Sequence, residues 1–205
     1  MRDYTLVYAR SGNSLRAAIA LELCQLNFKR CEISVSDGDQ KSSSFLKLNP
    51  AGYVPVLIIK DNNTEIALSQ SGAIMDFLLS EYRSDLIPTN TIERAKCYSH
   101  FYASISDIAI QNALARYLHH HEESSNFIFQ RMLNVLLAEF SSLQSGEYLC
   151  GDKVSIADYA HFPIVYMRED QLREMSDAQH ILDWLNRMKE DPAIIRSIEY
   201  AGIQL

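Results

Sequence analysis

Asn49-Pro50-Ala51-Gly52-Tyr53-Val54-Pro55-Val56-Leu57, answered by Leu68-Ser69-Gln70-Ser71-Gly72-Ala73-Ile74, is the stretch whose reading decides the fold. The first part reads as a turn feeding a buried strand, the second as a polar turn opening a helix. Proline cannot donate to a sheet ladder, so Pro55 belongs at the start or edge of the apolar run Val54 to Ile59. Val54-Pro55 is therefore a candidate cis peptide, a geometry confined almost wholly to X-Pro bonds.

Toward the N-terminus, Leu6-Val7-Tyr8 is β-prone and runs into the turn-forming Arg10-Ser11-Gly12-Asn13, after which the periodicity becomes helical. Leu15, Ile19, Leu23 and Leu26 form one stripe, and Ser11, Asn13 and Ser14 are candidate N-caps. Arg30 to Ser36 alternates as a second strand, Asp37-Gly38-Asp39 is a loop, and Phe45, Leu46 and Leu48 predict a short helix ending before Pro50. Beyond Val54 to Ile59, Asp61-Asn62-Asn63 predicts a hairpin turn, Glu65 to Leu68 a fourth strand, and Ser71 onward a helix carrying Ile74, Phe77, Leu78 and Tyr82. The order β-α-β-α-β-β-α implies a mixed sheet layered with helices.

After Tyr82 the character changes. Residues 83–91, with Pro88 among them, read as a linker, and beyond them no convincing strand remains. Two long amphipathic helices are expected, one from Glu93 to Leu118 and one around Phe129, Met132, Leu136 and Phe140, the second broken at Ser145-Gly146-Glu147-Tyr148. Ser155-Ile156-Ala157-Asp158 has the form of a capping box, and Ile181, Leu182, Trp184, Leu185 and Met188 stripe a helix ending near Asp191-Pro192. The expected class is α/β plus all-α, with domains at 1–82 and 92–205.

A formal charge of −7, without any basic cluster, argues against nucleic acid as a partner. No apolar run reaches membrane-spanning length, and Met1 to Tyr8 lacks the apolar core of a signal peptide, so an unexported, cytoplasmic protein is expected. Cys24, Cys31, Cys97 and Cys150 form no CxxC pair and read as reduced thiols, mostly in the core. His119-His120-His121 points in different directions on a helix and has no i, i+4 partner, so no metal is expected.

The small mixed layer followed by helices, with the two opening motifs and Ser155-Ile156-Ala157-Asp158 in this order, resembles the glutathione S-transferase superfamily over nearly the whole chain. The first loop is of a serine/asparagine type. The resemblance implies a thioredoxin-like N-terminal domain that binds glutathione and a helical domain that binds a small hydrophobic electrophile, in a homodimer. The implied activity is conjugation of the glutathione thiolate to that electrophile. Two alternatives stay open: glutathione-dependent peroxide or disulfide reduction on the same fold, and a non-catalytic regulator similar to the stringent starvation proteins that bind RNA polymerase.

On that resemblance, Val54 and Pro55 offer a backbone edge to which the tripeptide adds like a strand. Gln70 and Ser71 sit where a helix begins, so the Ser71 amide and hydroxyl and the positive helix end can receive the γ-glutamyl carboxylate; the alternative for Ser71 is simple N-capping. A thiolate needs a hydrogen-bond donor, which the superfamily places in the first loop. Ser11 and Asn13 are the candidates there, with helix capping as the alternative for each. That loop, Ala9 to Ser14, contains no cysteine, which argues against a mixed disulfide with the protein. Tyr8 is assigned to the core. Tyr53 stands where many relatives carry Lys, Gln or Arg toward the glycine carboxylate, and Lys41 or Gln40 could substitute. Ser104 and Asp107 match positions from which some relatives reach glutathione across a dimer.

Overall fold

The computed structural model describes residues 2–62, 64–141, 143 and 147–201, backbone only for the last of these. Asn63, Ser145 and Gly146 of the expected turn and helix break lie outside the described residues. The chain forms two compact units: residues up to Arg83 together with those from Asp191 onward, and Ser84 to Glu190.

The first unit runs β1 (Asp3–Tyr8), α1 (Gly12–Leu23), β2 (Phe28–Glu32), α2 (Ser43–Leu48), β3 (Val56–Asp61), β4 (Thr64–Ser69) and α3 (Ser71–Tyr82), in the expected element order. The strands line up as β2-β1-β3-β4. β1 and β2 are parallel, with Tyr4 opposite Phe28 and Tyr8 opposite Glu32, so β2 begins and ends earlier than its own alternation suggests. β3 is antiparallel to both β1 and β4, with Val56 opposite Val7 on one side and Ser69 on the other. Because strand side chains alternate, Val7 and Val56 share a face, where they pack with Phe45 of α2 and with Ile33, Leu48, Val54 and Ile58.

α1 is buried along nearly its whole length, including Leu15, Ile19 and Leu23 of the stripe. It packs against α3, and also against α10 (Pro192–Ala201), which returns from the end of the chain. The helix expected to end near Asp191-Pro192 does end at Lys189, and Asp191-Pro192 also opens this last helix. The Asp191 carboxylate accepts from the Ala193 N–H at 2.7 Å, and proline suits the first helical position because its missing N–H would have no partner there. Arg196 of α10 donates to Glu22 of α1 at 2.6 Å.

The second unit contains α4 (Thr91–Tyr102), α5 (Ala109–Tyr117), α6 (Glu122–Phe140), α7 (Ile156–Met167), α8 (Glu169–Arg173) and α9 (Gln179–Lys189). The single helix expected from Glu93 to Leu118 is α4 and α5 joined by a π-helical turn, Ala103–Ile108. α7 is buried on all sides, with α4 and α9 among its neighbours. At its start the Asp158 carboxylate accepts from the Ser155 N–H at 2.9 Å and from the Ser155 hydroxyl at 2.7 Å. All five striped residues of α9 are buried.

Candidate functional site

Strand register brings the two opening motifs to one edge of the first unit. Val56 pairs with both Val7 and Ser69, so the end of β1, the entry to β3 and the exit of β4 meet at the same end of the sheet. The loop holding Ser11, the Val54-Pro55 peptide and the start of α3 extend from that end. Val54-Pro55 is cis, and both residues precede the ladder, which begins at Val56. Asn49 fixes the approach: its amide donates to the Tyr53 carbonyl at 2.7 Å, and its side-chain oxygen accepts from the Ala51 N–H at 3.2 Å.

Gln70 adopts φ +73° and ψ 116°, a region that an L-residue rarely occupies at a cost of about 1–3 kcal/mol. Strain of this kind persists where the surrounding structure enforces it. Here it turns the chain from β4 into α3 and sets Ser71, 6% exposed, on the first position of a helix whose amides face outward.

In the first loop Ser11 is the N-cap of α1. Its hydroxyl oxygen accepts from the Ser14 N–H at 3.3 Å and its hydrogen goes to Ser14 Oγ at 3.0 Å. Ser14 Oγ in turn accepts from the Ala9 N–H. Asn13 is exposed, with its side-chain oxygen held by Arg16 Nη1 at 2.8 Å. The same nitrogen donates to Ser71 Oγ at 2.9 Å, joining α1 to α3. Arg16 is entirely buried, and burial pulls its pKa down to about 10, which leaves it cationic at neutral pH. Sequence reading had not singled it out; a lone arginine in a helical stripe gives no local sign that it turns inward.

Tyr8 is buried, as assigned. Burial and then the Glu32 carboxylate raise its phenol pKa, which makes it a poor proton source. Tyr53 is 60% exposed, and Lys41 lies over its ring at 5.3 Å. Lys41 also passes beside Gly52, placing an ammonium next to the turn that leads to Val54. Gln40 turns back on its own loop, donating to the Val35 carbonyl at 3.2 Å.

In the second unit Ser104 and Asp107 lie in the π turn. Asp107 is exposed and accepts from the Ser106 hydroxyl at 3.1 Å. Ser104 is fully buried and donates to the Ala160 carbonyl of α7 at 2.8 Å. Its hydroxyl thus packs the π turn on α7.

The fold is a thioredoxin-like unit joined to a helical one. The family model described as glutathione S-transferase, N-terminal domain, matches residues 10–81, and that described as glutathione S-transferase, C-terminal domain, matches residues 105–192. The chain is 32% identical to glutathione S-transferase Z2 of Arabidopsis thaliana over 171 residues, covering 78% of this chain and 73% of that one. It is 28% identical to a probable maleylacetoacetate isomerase of Vibrio cholerae over 205 residues, covering 93% and 92%. The crystal structure of glutathione transferase URE2P6 from Phanerochaete chrysosporium, in complex with oxidized glutathione, superposes with TM-score 0.87 at 21% identity, covering 98% of this chain and 97% of that one. The chain belongs to the glutathione S-transferase family.

Proposed function

We propose that this protein binds glutathione at the end of the sheet and uses its thiolate to attack a small hydrophobic electrophile. The observation that carries the reading is the buried cation Arg16, bonded to both Asn13 of the first loop and Ser71 at the start of α3. In this reading Val54 offers its backbone to the tripeptide beside Pro55. Gln70 and Ser71 receive the γ-glutamyl carboxylate, and Lys41, with Tyr53 beneath it, faces the glycine carboxylate. Asn13 supplies the hydrogen bond to sulfur, because the Ser11 hydrogen is already directed at Ser14 Oγ. Asp107 is retained as the cross-dimer contact of a cytoplasmic homodimer.

An ordinary thiol has a pKa of about 8.5, so lowering it by two units requires about 2.7 kcal/mol of preferential stabilisation of the thiolate. An amide donor and a nearby guanidinium are groups of the right kind. The thiolate then adds to an electron-poor carbon. If a leaving group departs or the adduct is simply protonated, the product is a conjugate.

The likeness to the Vibrio cholerae protein favours a second outcome of the same step. Addition to an activated double bond, rotation about the resulting single bond and expulsion of the thiolate would isomerise the substrate and return glutathione unchanged. Calorimetric titration with glutathione tests the binding site, and a flat titration at millimolar concentration overturns the reading. Incubation with an aryl halide and, separately, with a cis-enedioate distinguishes the outcomes. Conjugate accumulates in the first, whereas isomerisation without net consumption of glutathione marks the second.

A further inference from the structure

Resting on the glutathione reading above, we infer that Arg16 is a positioning residue that makes hydrogen-bond donors of both Asn13 and Ser71, and so couples the carboxylate seat to the thiol. The argument is one of hydrogen-bond direction. A guanidinium has five N–H donors and no acceptor. Whatever bonds to it must accept.

Arg16 Nη1 bonds to Asn13 Oδ1 at 2.8 Å and to Ser71 Oγ at 2.9 Å. The oxygen of Asn13 therefore faces inward, and its NH2 group is the end left for a ligand. A reversed amide would set N–H against N–H. Ser71 Oγ likewise spends a lone pair on Arg16, which leaves its hydrogen to be donated elsewhere. A thiolate and a carboxylate each call for a donor, so one buried cation fixes the polarity that each would need.

The two hydrogens of one guanidinium nitrogen lie in a rigid plane, so Asn13 and Ser71 are also fixed relative to each other across the gap between α1 and α3. Full burial keeps the guanidinium from swinging to solvent, and its charge acts on both anions through a medium that screens less than water. Filling the Ser71 seat would thus tighten the geometry at Asn13.

The test measures glutathione affinity by calorimetry and the pKa of the bound thiol by thiolate ultraviolet absorbance. It uses the wild-type protein and Arg16→Met, Arg16→Lys, Ser71→Ala and Asn13→Asp. Arg16→Met should weaken binding about tenfold or more and raise the bound thiol pKa by about one unit, since two charge-assisted bonds are lost. Arg16→Lys should restore part of the affinity and little of the pKa, because a point charge does not hold the fork. Asn13→Asp keeps an acceptor for Arg16, so it should fold at least as stably as wild type, yet it should lose the lowered thiol pKa because it has no donor. Ser71→Ala should raise the thiol pKa as well as weaken binding, although it removes nothing from the first loop.

If Arg16→Met fails to fold, Asn13→Asp and Ser71→Ala decide. A low thiol pKa retained in Asn13→Asp, or unchanged in Ser71→Ala, overturns the inference while glutathione binding stands. Absence of glutathione binding by the wild-type protein overturns both this inference and the functional reading beneath it.

Discussion

The indole N–H of Trp184 donates to Asp158 Oδ1 at 2.9 Å, tying α9 to the start of α7. The same carboxylate accepts from the Leu149 N–H at 3.0 Å and from both the amide and the hydroxyl of Ser155, all of them buried. Asp158→Asn keeps the size but turns an NH2 group toward donors. It should cost about 3 kcal/mol, the range for a buried charged partner removed from its bonds. Trp184→Phe removes a single donor and should cost about 1–2 kcal/mol. Urea denaturation of the two variants checks the ordering.

His100 on α4 bonds to Glu139 on α6 at 2.7 Å, with both side chains about a quarter exposed. The Glu139 bond raises the His100 pKa against the opposing effect of burial, with weaker help from Cys97 and Asp158. A raised histidine pKa means that the folded state holds the proton more tightly than the unfolded chain. The stability it contributes is therefore complete below the unfolded value of about 6.5 and is lost as pH rises through the folded value. The contribution should be about 1 kcal/mol or less. The urea midpoint of the wild-type protein should fall across this window, and Glu139→Gln should flatten the fall. A Glu139→Gln profile as steep as wild type would count against the pair.

The parts of the fold that were legible from sequence are those whose cause is local. Val56 to Asp61 shows its strand in its own apolar run, and Ile181 to Met188 shows its helix in its own spacing. Ser155 and Asp158 carry a capping signal within four residues. Arg16 was not legible because its burial depends on Ser71, 55 residues further on, and nothing in Ser14-Leu15-Arg16-Ala17 distinguishes an inward arginine from a solvated one. The π turn at Ala103–Ile108 was hidden for a different reason: the apolar stripe continues across it from Phe101 to Ile108, so the pattern reads as one helix. Asp191-Pro192 follows the end of α9 and also opens α10, and only the stop was read from it.

Gly52 has φ +68°, and a Cβ there would lie 2.7 Å from Lys41 Nζ and 3.0 Å from the Gln40 carbonyl. The lysine end can move, but the backbone carbonyl cannot do so without disturbing the turn at 39–41. Gly52→Ala should therefore cost about 1–2 kcal/mol from the left-handed backbone alone. On the proposed reading it should also weaken glutathione binding severalfold, by pushing Lys41 away from the Tyr53 turn. Equal affinity of Gly52→Ala and wild type for a glutathione analogue lacking the glycine carboxylate would place that loss at Lys41, whereas the same loss for both ligands would place it in the Val54 backbone.

Ser11 and Asn13 were equivalent candidates in the sequence, and their geometry separates them. Ser11 accepts the Ser14 N–H as the N-cap of α1, and removal of such a cap costs about 1 kcal/mol. Asn13 is exposed and caps nothing with its amide end, since its oxygen is engaged with Arg16. Ser11→Ala should thus lower stability by about 1 kcal/mol and move the bound thiol pKa little. Asn13→Ala takes an acceptor from the buried Arg16, so it should also cost about 1–2 kcal/mol of stability, but it should raise that pKa by about one unit, near 1.4 kcal/mol of lost thiolate stabilisation. Parallel denaturation curves and ultraviolet titrations of bound glutathione give both readouts. A thiol pKa that rises in Ser11→Ala and stays low in Asn13→Ala would transfer the activating role to the serine hydroxyl, with its hydrogen turned from Ser14 to the sulfur once glutathione binds.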